Sequence, residues 1–331
     1  MSYTPKYFGL PEGSVLAKDE AKGVLPYVFS EAMAIAIDVA LATDRPLLVS
    51  GNPGCGKSRL ADALAQVQGW NLLSVTMTSR TRLETLTAEV DQLRRLNDAQ
   101  AQGTGSALRP DGCYLNPGIF WWAFDPEGAR RRGLTPDKAE KYKVALDYPG
   151  TRRDGAAGTV LLIDEIDKAE PDLPNDLLEP LDRRRFDLPD GFRAERDGGA
   201  HTCIAARAGE APRLLTLITT NRERDLPQAF LRRCVLLEIP DPDEAGLVDI
   251  AGHHFPDGDQ DRMRAIAGLL VRLQGQAKAL RVRPPGTAEM LDAVRACEGL
   301  GIQPSDEPGS VWAHIEGVVL AKDPALRIPG P

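Results

Sequence analysis

The chain has 331 residues, 42% apolar and 27% charged, an ordinary balance for a globular protein that excludes a disordered or fibrous one. Its 48 acidic and 40 basic side chains leave a formal charge of −8, which repels a polyphosphate backbone, so nucleic acid is not an expected partner. Cys55, Cys113, Cys203, Cys234 and Cys297 lie far apart without C-x-x-C spacing, so neither a disulfide framework nor a zinc site is indicated. With no apolar leader and no uncharged run near the ~20 residues that span a bilayer, the chain reads as cytoplasmic, without membrane insertion.

The length predicts a large domain followed by a smaller one. Residues 1–25 form an N-terminal segment rich in Gly, Pro and charge, and Ser30 is the expected N-cap of a helix over 31–42. Residues 46–50 are a short apolar run without alternation, the pattern of a parallel strand covered on both faces. A glycine-rich octet, Gly51-Asn52-Pro53-Gly54-Cys55-Gly56-Lys57-Ser58, separates that strand from a helix over 58–67. Further buried strands are predicted at 72–77, 160–163, 214–218 and 235–239. Strands alternating with helices give an α/β fold with a parallel sheet, and any ligand belongs at the carboxyl ends of its strands. Residues 97–158 read as a surface insertion around one apolar element, Ile119-Phe120-Trp121-Trp122-Ala123-Phe124, whose tryptophans suit a packed core or a partner anchor. After Pro240-Asp241-Pro242 no strand pattern remains, and helices are expected at 244–253, 262–280, 287–296 and 311–321. The division is thus 1–25, a sheet domain over 26–240 and a helical domain over 241–331.

The octet fits G-x-x-x-x-G-K-[ST]. Its glycines let successive backbone N–H groups face one concavity, and the following helix presents its positive end to the same phosphates. Lys57 would reach the β- and γ-phosphates and Ser58 would ligate Mg²⁺, with Arg59 adjoining the loop. Asp164 and Glu165 close an apolar strand, where Asp164 would hold Mg²⁺ and Glu165 would act as general base on the attacking water. Asn221 ends the next strand and can donate to a γ-phosphate and orient water. Asp167 and Lys168 read as a local ion pair.

Together these residues resemble the AAA+ ATPases, and within them the MoxR-like branch related to the dynein-related and CbbQ-type ATPases. The likeness spans roughly residues 26–300, with Gly51 to Ser58 as Walker A, Asp164-Glu165 as Walker B and Asn221 as sensor 1. Segments at 93–100, 117–122 and 174–179 are also similar. Leu226-Pro227-Gln228-Ala229-Phe230-Leu231-Arg232-Arg233 resembles the stretch that carries the arginine finger, with Arg233 in the finger position and Arg232 beside it. The resemblance implies a P-loop NTPase αβα sandwich followed by a small all-helical lid. It also implies ATP and Mg²⁺ as cofactors, a ring homo-oligomer of six, and chaperone-like remodelling with a von Willebrand factor A domain protein as a partner. The sensor-2 arginine of the lid is missing from Thr287 and Ala288, leaving Arg281 or Arg283 as substitutes, and Thr76 and Thr78 are positional candidates for holding Glu165. From a different class, a non-hydrolysing ATP-gated scaffold fits the same motifs, and a GTP-using motor shares the fold.

Arg130-Arg131-Arg132 and Arg183-Arg184-Arg185 are flanked by acids and lack interleaved aromatics, so they read as solvated or subunit-facing charge. His253-His254 has no third ligand nearby and reads as lid packing. Cys55, beside a helix amino end, is expected to carry a lowered pKa.

Overall fold

The computed structural model of the chain describes residues 3–101, 108–196, 198–206, 213–305, 307 and 309–326. Positions 102–107 of the expected insertion, and residues 1, 2 and 327–331 of the terminal segments, lie outside the described residues.

Ser30 Oγ accepts a bond from the Met33 amide at 3.2 Å, and α1 (Glu31–Thr43) begins at the expected place. Then come β1 (Leu47–Ser50), α2 (Lys57–Gln68), β2 (Asn71–Thr76), α3 (Ile119–Phe124), β3 (Gly158–Asp164), β4 (Arg213–Thr220) and β5 (Val235–Glu238). The five strands form one parallel sheet in the order β5-β1-β4-β3-β2. Side chains alternate between its faces along every strand. Leu47, Val49, Val160 and Leu162 pack with the apolar sides of α1 and α2. Leu48, Leu161, Ile163 and Ile218 pack on the opposite face with α3. Both faces are covered, which is why these strands read as unbroken apolar runs.

The apolar element of the expected insertion is thus part of the sheet's second layer. Trp121 is fully buried with its ring edge-on to Phe186 at 6.1 Å, and Trp122 is buried against Tyr148 at 5.6 Å. Packed core is therefore the role of this tryptophan pair. Short antiparallel pairs that the sequence pattern did not reveal join Ala88–Val90 to Leu115–Pro117 and Arg185–Asp187 to Cys203–Ala205.

The C-terminal helices are α4 (Glu244–His254), α5 (Gln260–Leu280), α6 (Thr287–Leu300) and α7 (Val311–Ile315), the last running into a π-turn over Glu316–Leu320. They share their own apolar core, which includes Leu247, Ile266, Leu270, Met290 and Trp312, and form a helical lid. Asp259 accepts from the Asp261 amide at 2.9 Å and so starts α5 two residues before the expected position, while Gly301, at φ 67°, ends α6. No helix among the described residues is long and apolar enough to cross a membrane.

The N-terminal segment is strapped to α1 by Asp38, an acid buried in the middle of the helix. Its carboxylate accepts from Tyr3 Oη at 2.9 Å, from the Tyr7 and Phe8 amides at 2.9 and 2.7 Å, and from the Lys6 amide. Burial pushes this carboxyl up, but the donors from Lys6, Tyr3, Tyr7 and Phe8 outweigh it and hold the pKa below the ordinary value. A lowered folded pKa gives stability that is present above the unfolded value and lost as pH falls through the folded one. Asp38→Ala is expected to cost about 2–4 kcal/mol in urea denaturation at pH 7, with the gap to wild type closing on acidification below about pH 4. A pH-independent gap would contradict an ionised Asp38 as the strap's anchor.

Candidate functional site

Register assembles the site. Ser50 lies opposite Thr220 and Glu238, Asp164 opposite Thr76, and the β3–β4 pairing of Ile163 with Ile218 sets Thr219 beside Asp164. The carboxyl ends of all five strands therefore converge where the glycine-rich loop leaves β1. Within that loop Gly54 and Gly56 take φ values of 85° and 93°, the left-handed region open to glycine at no steric cost. Lys57 begins α2, and its buried ammonium donates to the carbonyls of Gly51 and Asn52, each at 2.9 Å. Asn52 Nδ2 donates to Asp241 at 2.6 Å, tying the loop to the segment after β5.

Ser58 Oγ donates to Asp164 Oδ1 at 2.7 Å, and Thr219 Oγ1 donates to the same oxygen at 2.5 Å. Thr219 Oγ1 also accepts from the Glu165 amide at 2.9 Å. One threonine hydroxyl thus fixes both acids of the strand end. Glu165 sits at φ 58° and ψ 50°, an uncommon conformation for a non-glycine residue. Its Oε1 receives Lys168 Nζ at 2.9 Å and Asn221 Nδ2 at 3.4 Å. The hydrogen bond to Glu165 raises the Lys168 pKa. Asp167 is buried and accepts from the amides of Asn221 and Glu223 at 3.2 and 2.9 Å, so it braces the turn after β4.

Residues 46–234 match the AAA domain of the dynein-related subfamily. The chain belongs to this family. A comparison with curated proteins finds no match. The match runs from the residue before β1 to the residue before β5, and so contains the whole acid-and-loop cluster just described.

The structure brings Lys57, Ser58, Asp164, Glu165 and Asn221 of the AAA domain together and sets other expected residues apart. Arg59 turns away along α2, pairing with Asp62 and donating to the Leu25 carbonyl at 3.4 Å. Arg232 and Arg233 are exposed ahead of β5. Val235 pairs with Leu47 and Glu238 with Ser50, so both arginines lie at the amino end of the sheet and the loop at its carboxyl end. Four residues of strand separate those ends by about 13 Å, at ~3.3 Å each. Arg233 is held there by Asp182 at 2.5 Å and by the Ala229 carbonyl at 3.0 Å.

The lid meets the loop directly. The Ala288 amide donates to the Gly54 carbonyl at 3.3 Å, and a Cβ on Gly54 would lie 3.2 Å from Glu289 Oε2. Glu289 is buried, accepts from the Gly286 amide at 3.0 Å, and faces Arg283 and Lys322 at 3.5 and 3.6 Å. Of the two substitutes for a lid arginine, Arg283 is the one that reaches this cluster, while Arg281 caps α5 at φ 57°. From the opposite side Tyr27 Oη donates to the Gly56 carbonyl at 3.4 Å, so the stretch leading into α1 also touches the loop.

Several local expectations are corrected. Thr78 bonds Thr81 at 3.2 Å and Thr76 lies exposed opposite Asp164; the side chains that hold Glu165 are Lys168 and Asn221. Lys168 pairs with Glu165 and not with Asp167. The Cys55 pKa is raised, because burial of the thiol outweighs the nearby Lys57 charge. Burial pushes His254 down to about 4, which fits its reading as lid packing.

The donor chemistry suits a magnesium nucleotide. A hydroxyl and a carboxylate 2.7 Å apart are the sparse, hard-oxygen pair that Mg²⁺ takes when phosphates and water complete its shell. Replacement of Thr219 by Val, which keeps shape and removes both hydrogen bonds, is expected to lower unfolding free energy by about 1–3 kcal/mol. Chemical denaturation measures this, and an unchanged midpoint would refute the shared anchor.

Proposed function

We propose that this AAA domain is a Mg²⁺-dependent ATPase working in a ring of its own copies, six by the resemblance, with each active site shared between neighbours. The supporting observation is the convergence of Lys57, Ser58, Asp164, Glu165 and Asn221 at one end of the sheet while Arg233 stands at the other. A guanidinium so placed can serve only a site that comes to it.

In this reading the loop amides of Gly51 to Ser58 cradle the phosphates, and Lys57 exchanges the Gly51 and Asn52 carbonyls for β- and γ-phosphate oxygens. Ser58 and Asp164 hold Mg²⁺, which when bound offsets the charge that develops on the phosphoryl oxygens. Glu165 accepts a proton from water as its oxygen attacks the γ-phosphorus and the bond to the bridging oxygen breaks, and Asn221 orients that water. Arg233 of one subunit leaves Asp182 and neutralises the phosphoryl group held by the next. The bond from the Ala288 amide to Gly54 supports a lid that moves with the loop, the device by which turnover would remodel a client protein in the cytoplasm. A von Willebrand factor A domain protein is the partner that the resemblance suggests.

Glu165→Gln tests the base. Steady-state phosphate release should fall at least about 100-fold while ATP affinity stays within about threefold, because the loop and metal ligands are untouched. Undiminished turnover would remove Glu165 from the mechanism, and turnover absent from wild type as well would favour an ATP-gated scaffold.

A further inference from the structure

Lys168 ends the 3₁₀ turn Ile166–Lys168 that follows β3, and its ammonium lies 2.9 Å from Glu165 Oε1. The Lys168 amide also donates to the Glu165 carbonyl at 3.0 Å, so the turn closes back on Glu165 and brings the two residues together. Three constraints then converge on one carboxylate. The Glu165 amide is tied to Thr219, its backbone is left-handed, and Oε1 is shared by Lys168 and Asn221. Among the described residues Oε2 has no protein partner. Lys168 also feels the charges of Glu223 and the buried Asp167, so it offsets clustered negative charge beside Glu165.

We propose that Lys168 is a positioning residue for hydrolysis, fixing one oxygen of Glu165 so that the other is presented to the attacking water. The inference rests on Glu165 being the base. An ordinary half-exposed ion pair would contribute little to stability and nothing to rate. A fixed carboxylate instead removes a rotational search from the proton-transfer step, and misplacing a reacting group costs rate without weakening ground-state binding. The effect belongs in kcat, with KM and nucleotide affinity left alone.

The test compares wild type, Lys168→Met, Lys168→Gln, Lys168→Arg, Glu165→Gln and the double variant Glu165→Gln/Lys168→Met. Phosphate release is measured over a range of ATP concentrations, with ATP affinity measured separately as evidence of folding. Lys168→Met and Lys168→Gln should each lower kcat about 10- to 100-fold with KM within about threefold, and Lys168→Arg should recover most of the loss. The double variant should be no slower than Glu165→Gln alone, since Lys168 acts through that carboxylate. Wild-type or raised kcat in both neutral variants, or a further loss in the double variant, would overturn the role of Lys168 while leaving Glu165 as base. Full turnover in Glu165→Gln would overturn both. If Lys168→Met fails to bind ATP, Lys168→Gln decides, and loss of binding in both would make Lys168 a structural residue.

Discussion

Oxygen Oδ1 of Asp164 is where the parts of this site are joined. Ser58 brings the first turn of α2 to it and Thr219 brings the end of β4, so loop, central strand and neighbouring strand meet on one atom. Neither hydroxyl could arrive without the parallel register that sets Thr219 beside Asp164. Both bonds are charge-assisted and therefore stronger than neutral ones. Ser58 and Asp164 are also the residues that would hold Mg²⁺ in the proposed reading, so a bound magnesium nucleotide would rearrange this contact. Lys57 is in the same position, since in the proposed reading the Gly51 and Asn52 carbonyls it now satisfies would give way to phosphate oxygens.

Outward from that atom the end of β1 and the loop have further attachments, besides those of Asn52 to Asp241 and of Tyr27 to the Gly56 carbonyl. Arg222 reaches across the strand ends to Ser50 Oγ at 2.7 Å and to Glu238 at 2.9 Å, bracing the residue from which the loop springs. The lid touches Gly54 through Ala288, with Glu289 packed so close that a side chain at Gly54 would crowd it. Any shift of the loop would thereby be transmitted to the start of α6. What the lid offers at this point is a carboxylate flanked by Arg283 and Lys322.

Much of this was legible in the chain because it is written locally. Apolar runs marked the five sheet strands, Ser30 marked the start of α1, and the glycine-rich octet, the paired acids and Asn221 each occupy the end of a strand. What escaped depends on neighbours distant in sequence. Thr219 looks like any strand threonine until β3 and β4 are laid in register. Asp38 looks like a solvent-facing acid until Tyr3 to Phe8 fold back over it. Lys168 stands next to Asp167 in the chain but pairs with Glu165, because the 3₁₀ turn that joins them is not visible in sequence spacing. At Cys55 the helix amino end and Lys57 pull the thiol pKa down, but burial is the larger effect and leaves it raised.

In the proposed ring, one end of the sheet builds half a site and the other end supplies the missing half to a neighbour. Mixing Lys57→Ala subunits with Arg233→Ala subunits tests it most directly, since neither variant has a complete site alone. In a random one-to-one mixture half of the loops are intact and half of those face an intact arginine, so phosphate release should recover to about a quarter of wild type. Activity that stays at the level of the separate variants, in mixtures shown to co-assemble, would contradict completion of the site in trans.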